Sequence, residues 1–93
     1  MSVAVRSTNR PHLARLVRLH WDPVRKQHVL LAPEGVLVLN QTGATILGLC
    51  DGGRTVDEIV EELRGRYDSV SGDEVQSFLA RLVAKQWVEL GDE

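Results

Sequence analysis

Four kinds of side chain in this 93-residue sequence could do chemistry: histidines, a cysteine, serines and clustered carboxylates. His20 and His28 stand on either side of Asp22-Pro23-Val24-Arg25-Lys26. If the flanking segments pair symmetrically about that turn, the two imidazoles lie roughly opposite each other, as part of a metal site would. Catalytic zinc takes a third protein ligand, and His12, the remaining histidine, falls in the N-terminal stretch. A polar cross-strand pair is the simpler reading, and no metal site is expected. Cys50 lies in an apolar pattern with no cation ahead of it to lower its pKa, so a buried, inert thiol is expected. Ser7, Ser69, Ser71 and Ser77 lack a glycine-flanked elbow. Asp57, Glu58, Glu61 and Glu62 read as caps and a solvated helix face. Gly52-Gly53 follows a helical pattern and not a strand, unlike a phosphate-binding loop. A non-enzyme is expected, with no catalytic residue and no cofactor.

Composition narrows the partners. A chain of this length makes one domain of modest stability. It is 43% hydrophobic and 26% charged, as soluble domains are, and its net charge of −2 offers nucleic acid or an anionic membrane no bulk attraction. The single cysteine excludes an internal disulfide. Residues 1–10 lack the apolar core of a signal peptide, and no run approaches the ~20 residues of a membrane span. The cytoplasm is the expected compartment.

What remains to be explained is apolar. Val29 to Ala32 and Val36 to Leu39 are unbroken apolar runs, expected to be joined by a tight Glu34-Gly35 turn. A hairpin with one wet face alternates apolar and polar residues, because side chains point to opposite faces with period two. This hairpin does not alternate, so its second face or its edge is expected to meet another polypeptide.

The rest of the chain supplies the elements that position it. Residues 1–14 are expected as a flexible arm, 15–90 as the domain and 91–93 as a tail. Arg15 to Trp21 reads as a first strand broken by Asp22-Pro23, giving a three-stranded antiparallel meander with the hairpin. Asn40 is a suitable N-cap for a helix carrying Ala44, Ile46, Leu47, Leu49 and Cys50, expected to run to Asp51-Gly52-Gly53. Thr55-Val56-Asp57-Glu58 is a capping box, and Val56, Ile59, Val60 and Leu63 mark one face of a second helix. Ser71-Gly72-Asp73-Glu74 reads as a second box, opening a third helix striped by Val75, Phe78, Leu79, Leu82 and Val83. Trp87 to Leu90 is a terminal extension. The expected fold class is α+β: three antiparallel strands, then three helices, in winged-helix-like proportions. A DNA-binding winged helix presents cations on its recognition helix. Here the third helix begins with Asp73 and Glu74, which argues against nucleic acid.

The segment Pro33-Glu34-Gly35-Val36-Leu37-Val38-Leu39-Asn40 precedes Thr42-Gly43-Ala44-Thr45-Ile46-Leu47. With Leu49-Cys50-Asp51-Gly52, Thr55-Val56, Glu58-Ile59, Phe78-Leu79 and Leu82, it resembles the PqqD family of pyrroloquinoline quinone (PQQ) biosynthesis. The resemblance extends from about Arg15 to Leu90. Departures are Gly43, where many relatives carry alanine, and Gln86, where glycine is common. The resemblance implies a peptide chaperone that binds the ribosomal precursor PqqA. It further implies delivery of that peptide to the radical S-adenosylmethionine enzyme PqqE, which cross-links a glutamate and a tyrosine within it. In related domains the leader adds as a strand beside the third strand, against the third helix. Carried onto this chain, the implied peptide-binding residues are Val36, Leu37, Val38, Leu39, Val75, Phe78, Leu79 and Leu82. A recognition element of another modified-peptide pathway, or a small winged-helix DNA-binding regulator, are the alternatives. The same edge could receive a second copy of the chain, by pairing or by exchange about Asp22–Lys26 or Asp51–Arg54. A self-associated form, such as a homodimer, is therefore expected at high concentration, with a monomer as the peptide-binding species.

Overall fold

Three side chains, Asn40, Thr55 and Ser71, each hold an extended backbone and accept a hydrogen bond from the first turn of the helix that follows. In the computed structural model, which describes residues 4–91, these helices are α1 (Gln41–Gly48), α2 (Val56–Arg64) and α3 (Gly72–Ala84). Five strands accompany them: β1 (Arg10–Leu13), β2 (Arg18–Asp22), β3 (Gln27–Ala32), β4 (Gly35–Leu39) and β5 (Val88–Gly91). The expected meander is β2-β3-β4, antiparallel throughout with β3 in the middle. Its register aligns Leu19, Leu30 and Leu37 across the three strands. This row faces the helices: Leu30 is fully buried, and Leu19 and Leu37 pack against the core formed by Ile46, Leu47, Ile59, Leu63, Leu79 and Leu82.

Several details depart from expectation. The N-terminal stretch, expected as a flexible arm over 1–14, is bound to the fold within the described residues. Arg10–Leu13 forms β1 and pairs antiparallel with β5, the segment read as a terminal extension. Pairing with residues nearly 80 positions away is a tertiary contact that local pattern cannot reveal; His12 to Glu89 is one such pair. Gly91 suits this site, since a Cβ there would lie 3.1 Å from the Arg10 carbonyl oxygen. Met1–Val3 and the tail residues Asp92 and Glu93 lie outside the described residues. The first strand starts at Arg18, three residues later than expected. The β3–β4 turn is Pro33-Glu34, and Gly35 already pairs with Ala32. The first helix ends at Gly48, short of the glycine pair, because Leu49 closes it with its N–H on the carbonyls of Thr45 and Ile46. Asp51 then bridges to His12 of β1.

Candidate functional site

The site is built on the edge of the meander. A two-residue turn makes the pair that closes it, Ala32 and Gly35, a hydrogen-bonded pair. Pairs in an antiparallel ladder alternate between bonded and non-bonded. Leu37 and Leu39 therefore spend their backbone groups on β3, while the N–H and C=O of Val36 and Val38 point away from the sheet. Among the described residues, no strand lies beyond β4. Side chains alternate in step: Leu39 is buried and Leu37 half-buried against the helices, whereas Val36 is 61% and Val38 54% exposed.

Beside this edge runs α3. Val75, Leu79 and Leu82 form its inward stripe, all nearly or fully buried. Phe78 sits at the margin of that stripe, half-buried. Between β4 and α3 opens a groove of about 500 Å³. Leu37, Leu39, Ile46, Val75 and Leu82 form its apolar lining, and Phe78 stands on the α3 wall. Phe78 also touches the start of α1, where a Cβ on Gly43 would meet its ring at 3.3 Å. The glycine at this position thus leaves room for the aromatic wall.

Charge on the α3 wall is arranged along its length. Glu74 lies near the N-terminal end, and Arg81 and Lys85 toward the C-terminal end, all exposed and all lining the groove. The Arg81 guanidinium lies 5.9 Å from the centre of the Phe78 ring, a cation–π distance. Among the described residues, none of these three charges makes an ion pair. Glu74 is expected to complete a capping box, but Ser71 caps through the Asp73 N–H at 3.1 Å and Glu74 lines the groove instead.

Of the residues implied by resemblance, Leu37, Val38, Leu39, Val75, Phe78 and Leu82 line the groove together. The other two do not. Val36 lies nearer the β3–β4 turn and is not among the lining residues; its side chain shares the exposed face of the sheet with that of Val38, two positions on, as the alternation requires. Leu79 is fully buried in the core, one step round the helix from Phe78. Sequence reasoning missed Glu74, Arg81 and Lys85 as wall residues, although their spacing with Phe78 already marked one helix face. Ser69 and Val70, which close one side from the loop before α3, carried no such signal.

The residues first considered for chemistry are dispersed. His20 pairs with Val29 and His28 with Trp21, so the two imidazoles lie on opposite faces of the sheet and not opposite each other. His28 instead packs edge-on to Trp21, ring centres 4.8 Å apart. Cys50 is buried, its Sγ–H donates to the Ile46 carbonyl, and burial pushes its pKa up to about 12. A neutral thiol with that environment is a poor nucleophile.

A sequence profile described as coenzyme PQQ synthesis protein D (PqqD) matches residues 27–88. A PqqA binding protein of Stutzerimonas stutzeri is 39% identical over 92% of this chain and 96% of its own length. The solution structure of the PqqD truncation of Methylobacterium extorquens PqqCD is described as a functional, stand-alone recognition element for ribosomally synthesised and modified peptides. It superposes with a TM-score of 0.75 at 37% identity, over 92% of this chain and 95% of that one. The heterocyclase TruD matches with a TM-score of 0.65 at 27% identity, over 88% of this chain but only 11% of TruD.

Proposed function

This chain belongs to the PqqD family, and we propose that it is a non-catalytic recognition element which holds a PqqA-type precursor peptide and presents it to a PqqE-type radical S-adenosylmethionine enzyme. The observation that carries the reading is the free edge of β4 lying alongside an apolar groove. An extended peptide added there takes main-chain hydrogen bonds from Val36 and Val38 and sets alternate side chains into the space between Leu37 and Phe78. New hydrogen bonds contribute about 0.5–1.5 kcal/mol each, and buried apolar side chains about 1.5–3 kcal/mol each. Ordering the peptide costs roughly 2–5 kcal/mol. The balance falls near micromolar affinity, about −8 kcal/mol, which suits a carrier that must also release. The reading puts the protein in the cytoplasm, where a ribosomal precursor is made.

Titration of the protein with the precursor peptide, followed by calorimetry or NMR and repeated with the radical enzyme present, tests it. Micromolar binding with shifts concentrated in β4 and α3 is expected; no interaction in either format overturns it. A second reading is a recognition element of a different modified-peptide pathway; the likeness to PqqA binding proteins over nearly their whole length favours the first. A second copy of the chain competes for the same β4 edge at high concentration. Sedimentation with and without peptide should show peptide dissociating the dimer; a dimer that takes peptide at unchanged mass contradicts this.

A further inference from the structure

We propose that the C-terminal half of the α3 wall reads an acidic side chain of the bound peptide, so that the groove selects an apolar residue followed or preceded, two positions away, by Asp or Glu. This rests on the groove being the peptide site. Arg81 and Lys85 are the two cations of α3 and its cap, and both line the groove. The helix dipole favours cations near a C-terminus wherever they sit around the axis. It does not account for both facing the same wall, without a carboxylate partner among the described residues. A groove lined by apolar residues together with Asn40, Thr42, Ser69 and Glu74, which keeps two unpaired cations at the end away from Glu74, is complementary at that end to a ligand carrying negative charge.

The spacing follows from the two geometries. Along a helix, Arg81 and Lys85 lie about 4.5 and 10.5 Å beyond Phe78 at 1.5 Å per residue. Residues on one face of an extended strand recur about every 6.6–7 Å. A peptide side chain packed on Phe78 therefore has its same-face neighbour over the Arg81–Lys85 pair. At the other end of the wall, Glu74 disfavours an acid, so the charge pattern also fixes which way round the peptide lies.

The test uses the full chain, its Arg81→Gln/Lys85→Gln variant and its Val38→Pro variant. Each is titrated at low salt with a synthetic PqqA-type precursor and with the same peptide carrying Asn and Gln for Asp and Glu. Both cations are exposed, so the double variant is expected to melt as the parent does. It should bind the acidic peptide about tenfold more weakly, and should not distinguish the two peptides, whereas the parent should. Affinity of the double variant within about twofold of the parent, inside the error with which independent effects add, overturns the proposal. So does a parent that binds both peptides equally. If Val38→Pro still abolishes binding in that case, the charge reading alone has failed and the groove stands. If Val38→Pro also leaves binding intact, or the parent binds neither peptide, the groove reading falls with it.

Discussion

The two ends of the helical layer treat their surfaces differently. Around α2 the first-turn N–H groups and two Glu–Arg pairs are satisfied within the chain. Thr55 and Glu58 cap each other's backbone in a reciprocal box. The next two N–H groups, of Val56 and Asp57, donate to the carbonyls of Asn9 and Ser7 in the N-terminal segment. Glu61 pairs with Arg64, and Glu62 with Arg66. Around α3 and β4 the opposite holds: an unpaired strand edge, exposed Val36 and Val38, and Glu74, Arg81 and Lys85 without ion-pair partners among the described residues. Both helices bury a full apolar stripe, so the difference is not one of stability. It separates the part of the surface finished by folding from the part that binding would finish.

If that division is right, residues one step apart on α3 should fail in different ways. Leu79→Ala empties a fully buried core position and is expected to destabilise the fold by about 2–5 kcal/mol, read by denaturant melts. Peptide affinity of the fraction that remains folded should hardly change. Val38→Pro is the converse. Its N–H points off the sheet, and edge strands tolerate proline where that N–H is unpaired. We expect capture of the precursor to drop by about a hundredfold or more, equivalent to ~2.7 kcal/mol, with the cooperative melt retained. Equal loss of fold and binding would mean that β4 is structural and the binding edge lies elsewhere.

Phe78→Ala sharpens the boundary between these two. The ring is half-buried and shared between the α1 contact at Gly43 and the groove. Removing it should weaken binding by about ten- to a hundredfold, the worth of one buried aromatic contact at ~1.5–3 kcal/mol, with a smaller effect on stability than Leu79→Ala. Calorimetry of peptide binding and a thermal melt of the same variant separate the two contributions.

The same division explains what could be read from the sequence. The helices were legible because their signals are local: Asn40, Thr55 and Ser71 each cap the turn that follows them. The meander was legible because proline and two turns leave three strands little choice. The β1–β5 ribbon was not, because Arg10–Leu13 and Val88–Gly91 are four residues each, too short for their alternation to mark a strand, and no local turn joins them; each is a strand only in the presence of the other. Within the site, Leu79 and Phe78 look equivalent in an apolar stripe, and only the crossing of α3 over β4 sends one to the core and the other to the groove. Val36 and Val38 share the exposed face of β4, and Val38, farther from the turn, is the one that borders the groove. Charge on the wall was overlooked because Glu74 fits a capping box on paper, and in the folded chain Ser71 needs no such partner.

The smallest effect should come from the finished side. Thr55→Ala removes a hydroxyl that accepts the Glu58 N–H, 3.1 Å away, and is expected to cost about 1 kcal/mol, a fall of roughly 4–8 °C in melting temperature for a domain of this size. Glu58 holds its carboxyl below the ordinary carboxylate range, first through the Thr55 backbone N–H and then through the Thr55 hydroxyl. A depressed carboxylate stabilises the fold above its unfolded pKa, and that contribution fades as pH falls toward the lower folded value. The variant keeps the backbone donor and loses the hydroxyl. Its acid limb should therefore be shallower than the parent's but still present, in melts across the mildly acidic range. Peptide affinity at neutral pH, below the melting transition, should not move. A Thr55→Ala protein that folds and yet loses the precursor would mean that α2 and the groove are coupled, and the contrast drawn between the two ends of the layer would fail.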